Sequence, residues 1–237
     1  MLQILLFALA PAAAVILGGV VAAYRAPGPA VRSAVQHFAA GVLFCALATE
    51  LLPDVIHRRL PFVTLVGFAL GVAVMLAIKW FAERSERKTE GSAYPPTSLV
   101  IILGVDIALD GLLIGLGFAA GAKQGLLLTI ALTLEVLFLG VSGAVALGRA
   151  GASRAKIIAT TVGFAALILT GAGAGALLLS KASPILLDAV LSFGVAALLY
   201  LVTEELLVEA HETPETPLLT AMFFLGFIVL LVIEMLL

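Results

Sequence analysis

Long apolar runs alternate along the chain with short clusters of Gly, Pro and charged residues. The breaks fall at 25–32, 57–61, 83–96, 121–124, 149–156, 181–184 and 209–217. Between them lie eight apolar segments, at about 2–24, 31–55, 61–82, 97–120, 123–148, 154–180, 184–208 and 216–236. Each comes close to or exceeds the roughly 20 residues a helix needs to cross the hydrocarbon of a bilayer. The breakers are those that turn chemistry favours. The runs are too long for barrel strands and lack period-two alternation. The pattern predicts an all-α, polytopic membrane protein with eight transmembrane helices. The first segment has no charged stretch ahead of it. It reads as a retained helix, not a cleaved signal, although Ala10-Pro11-Ala12-Ala13-Ala14 mimics a cleavage site.

Composition agrees. Of 237 residues, 62% are apolar and 12% charged, against about 25% charged in an average soluble domain. Mean hydropathy is +1.22. This excludes a soluble globular enzyme, a nucleic-acid binder and a disordered chain. The net charge of −2 supplies no basic field for nucleic acid. The single Cys45 excludes an intramolecular disulfide framework.

Charge also orients the spans. With eight helices, both termini share a face with the second, fourth and sixth loops. That face carries Arg58, Arg59, Lys123 and Lys181. The opposite face carries Arg25, Arg32, Lys79, Arg84, Arg87, Lys88, Arg149, Arg154 and Lys156. Nine against four puts the second face in the cytoplasm and both termini outside. The expected location is the cell (inner) membrane.

Segments 38–54 and 193–209 align without gaps at an offset of 155. Phe38 meets Phe193, Leu43 meets Leu198, Glu50-Leu51-Leu52 meets Glu205-Leu206-Leu207, and Asp54 meets Glu209. They lie in the second and seventh spans, which run in opposite directions. That is the topology of an inverted repeat of three plus two plus three helices, with a site near the midplane. The implied organisation is a single transmembrane domain: repeat one at about 1–82, a cytoplasmic loop at about 83–96, a central pair at about 97–148 and repeat two at about 154–237. Shared apolar composition is the other explanation of the match.

Three acids fall inside spans. Asp106 and Asp110 lie midway along the fourth and share one face, a turn apart. Glu135 lies midway along the fifth. The short connection near Gly121 makes these two spans antiparallel neighbours. Asp110 is 11 residues before that glycine and Glu135 is 14 after it, so all three can meet at one depth. No Lys, Arg or His lies there to neutralise them. They hold either protons or a cation. Three carboxylates without a basic partner fit a hard divalent cation; neutral acids hydrogen-bonding between helices are the competing reading.

Further acids end two other spans. Glu50 and Asp54 finish the second near the outer face. Glu204, Glu205, Glu209, His211 and Glu212 finish the seventh near the inner face. Acidic mouths concentrate cations, although ordinary solvated helix ends look alike. His37 and His57 read as interfacial and Cys45 as a small apolar filler. Asp188 and Glu234 receive no role. Glycines at 104, 111, 115, 117 and 121 on the fourth span, and 171, 173 and 175 on the sixth, fit close helix packing.

These residues resemble the ZIP (Zrt/Irt-like) family of divalent-metal transporters, as a divergent bacterial member. The family's fourth helix carries His-Asn-x-x-(Asp/Glu)-Gly; here the stretch is Asp106-Ile107-Ala108-Leu109-Asp110-Gly111. Its fifth helix carries a six-residue motif ending in Gly; here that is Glu135-Val136-Leu137-Phe138-Leu139-Gly140. Phe38-Ala39-Ala40-Gly41-Val42 with Glu50-Leu51-Leu52-Pro53-Asp54, and Glu204-Glu205-Leu206 with Glu209-Ala210-His211-Glu212, are similar to family members too. The resemblance implies eight helices, a 3+2+3 inverted repeat and metal ligands on helices four and five. The departures are specific. The family's His and Asn are Asp106 and Ile107 here, and Val136 and Leu139 are apolar where ligands are expected. The second position of a binuclear site is thereby lost. Asp106, Asp110 and Glu135 remain as one site without imidazole, harder than a zinc-selective set. That raises Mn²⁺ and Fe²⁺ against the family's Zn²⁺.

The expected function is therefore transport of a divalent transition-metal cation, as substrate, towards the cytoplasm. The metal would enter past Glu50 and Asp54 and leave past Glu204, Glu205, Glu209 and His211. The partners are the lipid bilayer and the metal cation, with no nucleic acid; a homodimer is compatible. The alternatives are a proton or monovalent-cation exchanger or channel using the same acids, and a non-transporting metal-binding membrane protein. No intramembrane Ser/His or His/Glu constellation suggests an enzyme.

Overall fold

The computed structural model describes residues 2–87, 96–179 and 182–236. It is 91% helical, with no strand among the described residues. Eight helices are long and apolar enough to span a membrane. They are α1 (Leu2–Tyr24), α2 (Pro29–Arg58), α3 (Pro61–Arg87), α4 (Pro96–Ala120), α5 (Ala122–Arg149), α6 (Arg154–Leu179), α7 (Pro184–Ala210) and α8 (Pro217–Leu236).

Five of them begin at a proline. Proline's fixed φ suits the first helical position, where its missing N–H would be unpaired anyway. Ser183 also caps α7 by accepting from the Leu186 N–H at 3.2 Å. Arg59 ends α2 in the left-handed region, φ 54°, and its N–H donates to Ile56 O.

Charge marks where a helix leaves the membrane, not where it stops. α3 accordingly runs to Arg87, past the expected end at 82, and α2 reaches Arg58 instead of 55. The rest of the expected 83–96 loop, with Lys88 and Lys181 of the charge count, lies outside the described residues.

A second difference matters more. α2 and α7 are not uniform α-helices. Each contains a wide π-helical turn, Leu47–Leu51 in α2 and Leu201–Leu206 in α7. The Leu52 N–H donates to Leu47 O, and the Leu207 N–H to Val202 O. These two i→i−5 bonds coincide under the 155-residue offset. In α2 the turn precedes Pro53, which cannot donate to Thr49 O. α7 has Val208 at that place, so proline is not what both turns share. Such turns are rare and concentrate at functional sites.

The helices pack in matched pairs: α1 against α5 and α6, α4 against α6, α2 against α8, and α3 against α7. Backbones touch along α4 and α6. A Cβ on Gly111 would stand 2.5 Å from Ile168 O, and one on Gly171 2.6 Å from Ala108 O. Of the membrane windows, 56–61% is buried in α2, α4, α5 and α7, but only 17% in α3 and α8. The outer pair instead exposes large apolar side chains, among them Phe62, Leu65, Phe81, Phe224 and Ile228. The core therefore lies among α2, α4, α5 and α7, the helices that carry the acids.

Candidate metal centre

α4 and α5 turn back on each other at Gly121, whose backbone is fully extended (φ 170°, ψ 160°). Close approach at Gly117 and Gly125 holds them together. This geometry brings Asp106, Asp110 and Glu135 to one point, and one carboxylate oxygen from each lies within 4.8 Å of the others. All three are buried: 8%, 1% and 1% exposed. Asp110 Oδ2 and both oxygens of Glu135 lack a hydrogen-bond partner. Among the described residues no lysine, arginine or histidine forms an ion pair with any of the three. No other group of three or more His, Cys, Asp or Glu among those residues is placed to hold a metal. Ile107 and Val136, beside the acids in sequence, are wholly buried apolar residues, and Leu139 nearly so.

The wide turn of α7 adds to this group. Half-buried Glu205 lies within electrostatic reach of Asp106, Asp110 and Glu135 alike. One turn on, Glu209 reaches Glu205 and Asp106 and accepts from Gln36 Nε2 at 2.7 Å. A line of carboxylates thus runs from the buried trio to the end of α7.

There His211 is exposed. Its Nε2 faces Glu215 at 2.7 Å and its Nδ1 faces Leu207 O. Its ring meets that of His37 edge-on, with centroids 5.2 Å apart. His37 is buried, with Nδ1 2.9 Å from Ser33 O. Glu204 does not join the line: it turns to the surface and pairs with Lys79 at 3.1 Å.

At the other end, Glu50 and Asp54 both carry cationic partners. Asp54 pairs with Arg58 at 3.1 Å. Glu50, in the wide turn of α2, pairs with Lys123 at 3.6 Å, and the same lysine reaches Glu234 at 3.7 Å. Sequence reasoning gave Glu234 no role. Only the lean of α8 on α2 brings it here.

Residues 82–234 match the profile of the ZIP zinc transporter family. The chain belongs to the ZIP family. No curated protein matches it by sequence. As a ZIP protein it is a multi-pass membrane protein of a family that moves divalent metal ions and consists of transporters, not enzymes. The matched region takes in α4 to α8, and with them Asp106, Asp110, Glu135 and the wide turn of α7.

Proposed function

We propose that this ZIP protein moves a divalent transition-metal ion towards the cytoplasm through a site formed by Asp106, Asp110 and Glu135. The observation that carries the reading is the convergence of three buried carboxylates with three oxygens left unpartnered. Buried polar groups are almost always hydrogen-bonded, and oxygens orphaned in this way match the coordination demand of a hard cation. Glu50 and Asp54 form the entrance. Glu205 and Glu209 carry the ion on to His211, while Glu204 flanks the exit beside Lys79. The all-oxygen donor set favours Mn²⁺ or Fe²⁺ over Zn²⁺.

Alternating access in this reading comes from an inverted repeat, about 1–82 against about 154–237, around the central pair 97–148. The matched wide turns of α2 and α7 and the matched helix pairings support it. Nine Lys and Arg against four support outside termini and the cell membrane as location.

Three carboxylates exceed the charge of one divalent ion. One of them therefore keeps a proton, or a proton moves against the metal. Proteoliposomes containing the purified protein should take up Mn²⁺ or Fe²⁺ faster than Zn²⁺. Asp110→Asn should cut that uptake at least about tenfold, since losing even a hydrogen-bond partner of a metal ligand costs about 10–100-fold. Protons compete with metal for the same oxygens, so apparent affinity should fall as pH falls. A metal-independent proton or Na⁺ flux that Asp110→Asn abolishes would assign the site to exchange of those ions. Binding without uptake would assign a non-transporting role.

A further inference from the structure

The acids at the two ends of the path differ in how closely a cation is paired with them. Glu205 and Glu209 have no lysine or arginine within ion-pair distance among the described residues, although Lys79 and Arg32 lie within electrostatic reach of them. Lys79 engages Glu204 instead, on the surface. Glu50 is different. Its side chain is 4% exposed, and the Lys123 ammonium stands 3.6 Å from its Oε1. That ammonium also lies 3.7 Å from Glu234 Oε1, while Glu234 Oε2 is buried without a partner.

The three residues come from different parts of the fold. Glu50 is on α2 and Glu234 on α8, two helices in backbone contact at Gly41 and Gly226. Lys123 is the second residue of α5 and belongs to the α4–α5 pair that bears the trio. One side chain therefore ties the α2–α8 unit to the central pair. A cation travelling from this face towards the trio meets Glu50 already holding a positive charge. The lysine itself is 44% exposed. A compact ammonium on a four-carbon stem can swing into water without disturbing the backbone. Withdrawing it leaves a buried carboxylate uncompensated, which is costly until another cation arrives.

We infer that Lys123, ion-paired to Glu50 and Glu234 together, is a latch that closes the Glu50 end of the path, and that an arriving cation releases it by taking its place on Glu50. The path's destination rests on the proposed metal site; the latch itself does not require transport. The Glu50 end is thus tied by an ion pair, and among the described residues Glu205 and Glu209 take part in none.

The chain carries its own reporter. Cys45 is its only cysteine and is wholly buried. It lies five residues before Glu50, near enough to feel the charges of both Glu50 and Glu234. In full-length protein in detergent, the rate of Cys45 modification by a charged, water-soluble thiol reagent measures opening at this end. Lys123→Ala and Glu234→Gln should each raise that rate about fivefold or more, the lower bound of ordinary coupling energies. Lys123→Arg, which keeps the charge, should stay near the wild-type rate. Melting midpoints identify folded variants, and if Lys123→Ala fails to fold, Glu234→Gln decides alone. Labelling within twofold of wild type in the folded variants overturns the latch. Faster labelling in a protein that takes up no metal overturns the transport reading and leaves the latch standing.

Discussion

Glu135 has two buried oxygens without a partner, and Asp110 has one. A carboxylate held this way costs several kcal/mol, which a bound divalent ion offsets. Metal binding should therefore read out as stability. At about one hundred times its Kd, a ligand stabilises the folded state by about 2.7 kcal/mol. Mn²⁺ should raise the melting midpoint of the wild-type protein by several degrees. Glu135→Gln should remove that rise while the variant remains folded; an equal rise in both would exclude Glu135 as a ligand. The trio was legible in the sequence because local rules fix it. Asp106 and Asp110 share a face by helical spacing, and the short turn at Gly121 sets the depth of Glu135 relative to them. The contact of Lys123 with Glu234 was not legible. It joins residues 111 apart, and neither a helical repeat nor a turn links them. The Glu50–Lys123 pair is long-range in the same way, whereas Asp54 and Arg58 are four apart on one helix and their pairing follows from helical spacing.

At the scale of elements, Pro and charge clusters made the helix starts readable, and five starts do fall on proline. Helix ends were less readable, since a polar last turn stays helical in water, as α3 does to Arg87. The wide turns left no periodic signal, because one added residue hardly alters an all-apolar pattern. Packing between elements is testable through glycine. A Cβ on Gly175 would stand 2.6 Å from Leu112 O, backbone that cannot yield as a side chain does. Gly175→Val should push α6 off α4 and lower stability by about 1–3 kcal/mol, the usual cost of overpacking. Gly163, on the same helix, has nothing within 4 Å of a Cβ. Gly163→Ala should hold or slightly raise the melting midpoint, since Ala favours a helix over Gly by about 0.5–1 kcal/mol, so thermal denaturation of the two variants separates packing from helix propensity.

For the whole molecule, charge asymmetry and burial carry different information. Burial ranks the helices from the core outward to α3 and α8, but it is blind to which face is cytoplasmic. The proposed direction rests on the Lys and Arg distribution alone. In a Cys45→Ser background, Ala152→Cys, between α5 and α6, should react with an impermeant reagent only from the cytoplasmic side. Ala182→Cys, between α6 and α7, should react only from outside. The reverse pattern, measured in right-side-out and inverted vesicles, would turn the proposed direction of transport around.

The wide turn of α7 has a geometric corollary. The turn takes up one extra residue, so the sequence register beyond it is offset by about 100° from that of a plain α-helix while the rod runs on unrotated. Before the insertion, Gly194 addresses Leu113 and Leu116 of α4; after it, Glu209 addresses Gln36. Deleting one residue from 201–206 would close the wide turn into ordinary α-helix and leave Glu209 facing that glutamine, whereas an unbroken α-helix of the same length would turn it about 100° away.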